Sequence, residues 1–211
     1  DIDKNDATSQ SSKRSLSAAK VLKPGTRLRI PKEYFEQGLN DEIKKKVIEA
    51  IELLKNQGAI VKKVSLPHTK YGIAVYYLVQ TAEVASNLAR FDGIRYGNDR
   101  SFLGAEAKRR IILGTFASSA GYTDKYYEKA AKVRTLIIED FQKTFNEVDI
   151  LIAPVSPTLP FKLGEKVNNP LQMYLSDVLT VNMNLAGIPS LALPCGFSQN
   201  NLPIGMQIIG P

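Results

Sequence analysis

Apolar residues recur at helical spacing between positions 43 and 54, where Ile43, Val47, Ala50, Ile51 and Leu54 share one face. Asn40 stands before them as a good N-cap, and Asp41 and Glu42 suit the positive end of a helix. Gly58 suits the position just past its end. Short β-prone runs lie on either side, 28–30 closed by Pro31, and 59–64. Strand, amphipathic helix and strand in so short a span predict a βαβ unit, with a parallel strand pair and a right-handed crossover.

The pattern continues in the same style. Residues 71–91 are helical in composition, and Ala74, Ala82, Ala85 and Ala89 allow close packing. A loop through Gly97 and Gly104 leads to a helix over 105–118. After Gly121 a long amphipathic helix runs over 123–145, with Ala130, Val133, Ile137, Phe141 and Phe145 as its stripe. Residues 149–153 form a buried strand ended by Pro154. Further prolines at 157, 160 and 170 predict an extended, partly rigid loop over 155–170. One helix over 171–186 follows, then strands 190–194 and 204–209 separated by the turn formers Gln199, Asn200 and Asn201. The fold class is α/β, a mixed, largely parallel sheet flanked by helices. Residues 1–25, rich in Ser, Lys and Asp, read as a linker entering one domain that occupies 26–211.

Composition narrows the classes. The 44% hydrophobic content of this 211-residue chain is that of an ordinary globular protein with a sizeable core. No apolar run is long enough to span a bilayer as a helix, and the polar stretch 1–12 lacks the apolar segment of a secretory signal. A single cysteine, Cys195, excludes an internal disulfide and fits a reducing compartment, so the expected location is cytoplasmic. With one Cys and one His, no zinc site built from these residues is supported. The net charge of +7 is compatible with a nucleic-acid partner. The run Lys44, Lys45, Lys46 has no interleaved aromatics, however, and reads as the solvated face of a helix.

None of the strong short motifs occurs: no phosphate-binding glycine loop, no dinucleotide fingerprint, no Cys-x-x-Cys and no His-Glu-x-x-His. His68 is a possible general base by type and Cys195 a possible nucleophile. Neither has a visible partner, and both read as structural. The charged residues next to apolar runs say more. Lys108, Arg109 and Arg110 precede Ile111, Ile112 and Leu113, and on a helix the three cations cannot share one face, so one arginine turns inward. Asp177 stands in an apolar stretch, where an unpaired carboxylate is costly. Composition leaves two roles open: Arg and Asp bridge each other, or they grip the carboxylate and ammonium of an amino acid.

Several blocks resemble one family. They include 82–97 (Ala-Glu-Val-Ala-Ser-Asn-Leu-Ala-Arg-Phe-Asp-Gly-Ile-Arg-Tyr-Gly), 108–116 with Gly121-Tyr122 and Tyr126-Tyr127, and 184–189 (Asn-Leu-Ala-Gly-Ile-Pro). The blocks 193–197 (Leu-Pro-Cys-Gly-Phe) and 202–210 (Leu-Pro-Ile-Gly-Met-Gln-Ile-Ile-Gly) continue the match, as do 3–9 and 31–35. These are similar to the amidase signature enzymes. Within that family the Asn-Leu-Ala-Arg-Phe-Asp-Gly block is similar to the glutaminase (A) subunits of tRNA-dependent amidotransferases.

The resemblance implies a domain represented here by its downstream portion and truncated at both ends. The Gly/Ser-rich region that carries the family's Ser–cis-Ser–Lys triad is not in this chain. The loop 97–104 is shorter than in typical members. No catalytic residue is therefore assigned, and the chain alone is expected to be inert. The implied role is glutamine recognition: Arg110 for the carboxylate, Asp177 for the α-ammonium and Tyr76, with Tyr77 beside it as the alternative, for a hydroxyl contact. Implied partners are the B and C subunits of the amidotransferase, with misacylated Glu-tRNA(Gln) or Asp-tRNA(Asn) met mainly through the former. No cofactor is implied in this chain, and ATP and Mg²⁺ are implied on the B subunit. Two rival readings remain: another amidase acting on a different small amide, and a non-catalytic binding or assembly module.

Overall fold

The computed structural model describes residues 23–36, 38–91, 93, 96–166 and 169–211. Most of the expected linker, residues 1–22, and the resembling block 3–9 lie outside the described residues, as do Asp92, Ile94 and Arg95 of the block 82–97.

The predicted βαβ unit is present. Strand β1 (Arg27–Pro31) is followed by helix α1 (Asp41–Asn56) and strand β2 (Ile60–Val64), and the two strands pair in parallel, Arg27 opposite Ile60 and Pro31 opposite Val64. Asn40 caps α1, its side-chain oxygen accepting from the backbone N–H of Glu42 (2.9 Å) and Ile43 (3.3 Å). Helix α2 (Gly72–Leu88) and helix α3 (Ala105–Ala117) run side by side in the same direction, Tyr77 meeting Arg110 and Thr81 meeting Gly114, so the connection over 89–104 returns along the length of α2. Helix α4 (Lys129–Phe145) is preceded by a π-turn over Asp124–Glu128. Strand β3 (Ile150–Pro154) pairs in parallel with β1 and antiparallel with the last strand, β5 (Pro203–Ile209). That strand in turn pairs antiparallel with β4 (Ser190–Phe197). The sheet order is β2-β1-β3-β5-β4, a parallel half joined to an antiparallel half, so the sheet is mixed and flanked by helices.

The single helix expected over 171–186 is instead two short ones, α5 (Pro170–Leu175) and α6 (Val181–Ala186), joined by a turn. Within that turn the N–H of Asp177 bonds the Tyr174 carbonyl and the Asp177 carbonyl accepts from the Thr180 N–H (2.9 Å). Ser176 and Thr180 send their hydroxyls back to the carbonyls of Gln172 and Asp177. Such local side-chain bonds compete with helix propagation, and the apolar spacing carries no sign of them. Gly187 ends α6 in the left-handed region (φ 69°), where a Cβ would be strained.

Both faces of the sheet are covered. On one, α1 packs Ile43, Val47 and Ile51 against Leu28, Ile152 and Ile204. On the other, Val75 and Val79 of α2, Ile137 and Phe141 of α4, and Met183 and Leu185 of α6 pack against Leu151, Ala153 and Ile209. β3 supplies both cores because its successive side chains alternate faces. Helix α3 lies outside this layer against α2. Their closest approach is at Gly114, where any Cβ would overlap the Thr81 carbonyl oxygen.

Candidate functional site

Three elements build the site: α2, α3 and the turn between α5 and α6. On α3, the inward arginine is Arg110, whose side chain is 27% exposed against 45% for Arg109. Glu106, one turn earlier, accepts from Arg110 Nε at 3.0 Å and from the Tyr174 hydroxyl at 2.9 Å, so a single carboxylate ties α3 to α5 and fixes the guanidinium. Glu106 also pairs with Arg109. Its bonds to Arg110 and Tyr174 outweigh the effect of burial and hold its pKa below the usual carboxylate value. Among the described residues the Nη groups of Arg110 have no hydrogen-bond partner. Burial works against the Arg110 charge, yet Glu106 and the nearby Tyr76 and Tyr77 raise its pKa, so it stays charged.

The Arg110 guanidinium lies over the Tyr77 ring, 5.7 Å from its centroid, in cation–π geometry. Tyr77 in turn contacts Tyr174 (4.2 Å between centroids) and Tyr76 (5.0 Å, edge to face). The Tyr77 hydroxyl is shut off from solvent and has no partner among the described residues. Burial pushes its pKa up; Arg110 pulls it down and Asp177 raises it further, so both charges act on the same hydroxyl.

Asp177 sits on the turn rather than on a helix. It forms no ion pair or side-chain hydrogen bond among the described residues, and Arg110 pairs with Glu106 in its place. Among those residues a structural Arg110–Asp177 bridge is therefore absent. The Asp177 carboxyl pKa is raised, by burial first, with Arg110 opposing. The turn itself is held from below. The fully buried Gln207 on β5 donates through Nε2 to the carbonyls of Leu179 (2.7 Å) and Pro154 (2.8 Å), and its Oε1 accepts from the Ser190 hydroxyl (3.3 Å).

The structure thus gathers Arg110, Asp177 and Tyr76 around Tyr77. Tyr76 packs partly against the main core, whereas Tyr77 contacts the arginine and keeps an unpartnered hydroxyl. Sequence reading missed Glu106, Tyr174 and Gln207. The i,i+4 spacing of Glu106 and Arg110 was a usable signal; the Tyr174 and Gln207 contacts join residues distant in sequence and had none.

His68 and Cys195 lie elsewhere. His68 has a partner the sequence did not reveal, since Asp140 on α4 accepts from its backbone N–H (2.9 Å) and lies 3.0 Å from Nδ1. Cys195 sits at the irregularity in β4 between Pro194 and Gly196, and burial raises its thiol pKa, which disfavours the nucleophilic thiolate. Among the described residues no cluster of His, Cys, Asp and Glu is placed to hold a metal, and no helix is long and apolar enough to cross a membrane.

Comparison with known proteins identifies the family. The Amidase family model matches residues 1–211. The A subunit of the glutamyl-tRNA(Gln) amidotransferase of Thermodesulfovibrio yellowstonii is 49% identical over 201 residues, covering 88% of this chain and 41% of that protein. The protein of the same name from Bacillus cytotoxicus is 49% identical with the same coverage. The crystal structure of the glutamyl-tRNA(Gln) amidotransferase A subunit from Thermotoga maritima superposes with a TM-score of 0.74 at 37% identity, covering 99% of this chain and 44% of that one. The chain spans less than half the length of these relatives. With its whole length matched by the family model and its fold shared with a solved relative, the chain belongs to the amidase family.

Proposed function

We propose that this chain is the glutamine-recognition part of the glutaminase subunit of a tRNA-dependent amidotransferase. The observation that carries the reading is the side-chain cluster in which Arg110, held by Glu106 over the Tyr77 ring, acts on the same hydroxyl as Asp177, which no cation pairs among the described residues. A cation with free Nη donors and an anion without a partner are what the two ends of an amino-acid head group require. In this reading Arg110 takes the carboxylate through a bidentate pair, Asp177 takes the α-ammonium, and a tyrosine hydroxyl completes the contact. Tyr77 fits that last role better than Tyr76, because its ring lies under the Arg110 guanidinium whereas Tyr76 packs partly against the core.

Held by its head group, glutamine presents its side-chain amide to a nucleophile that this chain does not supply, so the chain alone is inert as a glutaminase. Released ammonia passes to the B subunit, which uses ATP and Mg²⁺ to activate misacylated tRNA, with the C subunit completing the complex. Support for this wider assignment is the 49% identity to proteins named as A subunits of glutamyl-tRNA(Gln) amidotransferase.

The test is calorimetric or NMR titration of the native polypeptide with L-glutamine. Arg110→Met is expected to weaken binding at least about tenfold, since a hydrogen bond to a charged group contributes roughly 1.5–3 kcal/mol. Unchanged affinity in the Met variant would sink the reading.

A further inference from the structure

Viewed down the axis of α2, at about 100° per residue, Gln80 falls between Tyr76 and Tyr77, roughly 40° from the first and 60° from the second. The neighbours of this arc are fixed by packing. Gly72, on one flank, lies against Asn182 of α6, and Thr81, on the other, lies against Gly114 of α3. The stripe Tyr76–Gln80–Tyr77 therefore lies between the flank of α2 that meets α6 and the flank that meets α3, and Tyr77 within it lies under Arg110 and feels the Asp177 charge. On that stripe the Oε1 of Gln80, like the Tyr77 hydroxyl, is closed to solvent and has no hydrogen-bond partner among the described residues. A buried acceptor left unmade costs the fold free energy that is regained when a donor arrives. Two such atoms on one stripe, one of them under the Arg110 guanidinium, lack hydrogen-bond partners that a bound molecule could supply.

We propose that Gln80 is a specificity-determining residue of this pocket, its carboxamide oxygen accepting a hydrogen bond from the α-ammonium of the bound amino acid alongside Asp177. This inference rests on the amino-acid reading of the cluster around Tyr77. The choice of donor follows from ligand geometry. The ammonium is attached to the same carbon as the carboxylate held by Arg110, so it stays among the residues around Tyr77. The side-chain amide of glutamine extends several bonds away, toward the reacting centre. An uncharged acceptor beside Asp177 adds a directed bond to the ammonium without a second negative charge, which would raise the cost of an empty site.

The test pairs two ligands with three variants of the native polypeptide, read by titration calorimetry. The ligands are L-glutamine and 4-carbamoylbutanoate, which is glutamine without its α-amino group. Gln80→Met keeps the volume and removes the acceptor; it is expected to weaken L-glutamine about tenfold and leave 4-carbamoylbutanoate unchanged. Gln80→Glu keeps an acceptor and is expected to retain L-glutamine binding. Arg110→Met is expected to weaken both ligands, since both carry the carboxylate. Equal losses for both ligands in Gln80→Met, or no loss for either, would overturn the role of Gln80 while Arg110→Met still reports on the pocket. So would loss of L-glutamine binding in a folded Gln80→Glu protein, with thermal unfolding as the check on folding. A wild-type protein that binds neither ligand would overturn the amino-acid reading and this inference together.

Discussion

At the scale of single residues, the site combines one satisfied charge with one left waiting. Arg110 is neutralised locally by Glu106, whereas Asp177 has no cation among the described residues, and burial sets its pKa above the ordinary carboxylate value, with Arg110 opposing. A carboxyl whose folded pKa exceeds its unfolded one contributes stability while protonated, and that contribution is lost as pH rises through the raised value. Asp177→Asn removes the loss. Its thermal midpoint should therefore equal or slightly exceed that of the wild type at neutral pH, with the difference disappearing below pH of about 4. Its affinity for L-glutamine should meanwhile fall about tenfold or more. A midpoint clearly below wild type at pH 7 would mean Asp177 has a structural partner. That one arginine turns inward was legible from three adjacent cations before an apolar run, and the family resemblance singled out Arg110. The placement of Asp177 on a turn was not, because it depends on Gln207 holding the Leu179 carbonyl from another strand.

At the scale of elements, contacts between segments distant in sequence orient α2, the helix that carries the tyrosines. The stretch leading into α2 is pinned by Asp140 of α4, a largely buried carboxylate that accepts the His68 backbone N–H and meets Nδ1. Glu33 adds a second clamp, accepting from the Ser65 hydroxyl and the Leu66 N–H (3.0 Å). Asp140→Ala should cost about 2–3 kcal/mol in urea unfolding, because two donors lose a charged acceptor in a closed site. A cost under about 0.5 kcal/mol would show that water replaces the carboxylate without penalty. Helix existence here was legible in the spacing of apolar residues, and α1, α2, α3 and α4 all fall where that spacing put them. The break between α5 and α6 was not, since Ser176, Asp177 and Thr180 act through hydrogen bonds that leave no period.

At the scale of the whole molecule, the apolar surface is unevenly covered. The core is closed on both faces of β3, but β4 is an edge strand of eight residues with Leu191 58% exposed, and α3 turns Ile112, Leu113 and Phe116 outward. A long apolar edge invites pairing with other chains. Leu191→Lys should lower light scattering of the chain at high concentration while shifting its unfolding free energy by no more than about 0.5 kcal/mol. Undiminished scattering would place the association surface elsewhere, with the outward face of α3 next to be tested.

By itself the sequence determined most of the elements and the α/β class, and it singled out Arg110 and Asp177, because apolar period, caps and turn formers act over a few neighbours. It also determined family membership, through blocks such as 82–97 and 202–210. The tertiary structure decided which charges meet. It sent Arg110 to Glu106 instead of Asp177, left the Tyr77 hydroxyl and the Gln80 Oε1 buried without partners among the described residues, and gave His68 its carboxylate. The bonds that hold these groups in place, Asp140 to His68 and Glu106 to Tyr174, join residues 72 and 68 positions apart. Local spacing does not encode pairings at that separation, and the packing of α2, α3, α4 and the α5–α6 turn does.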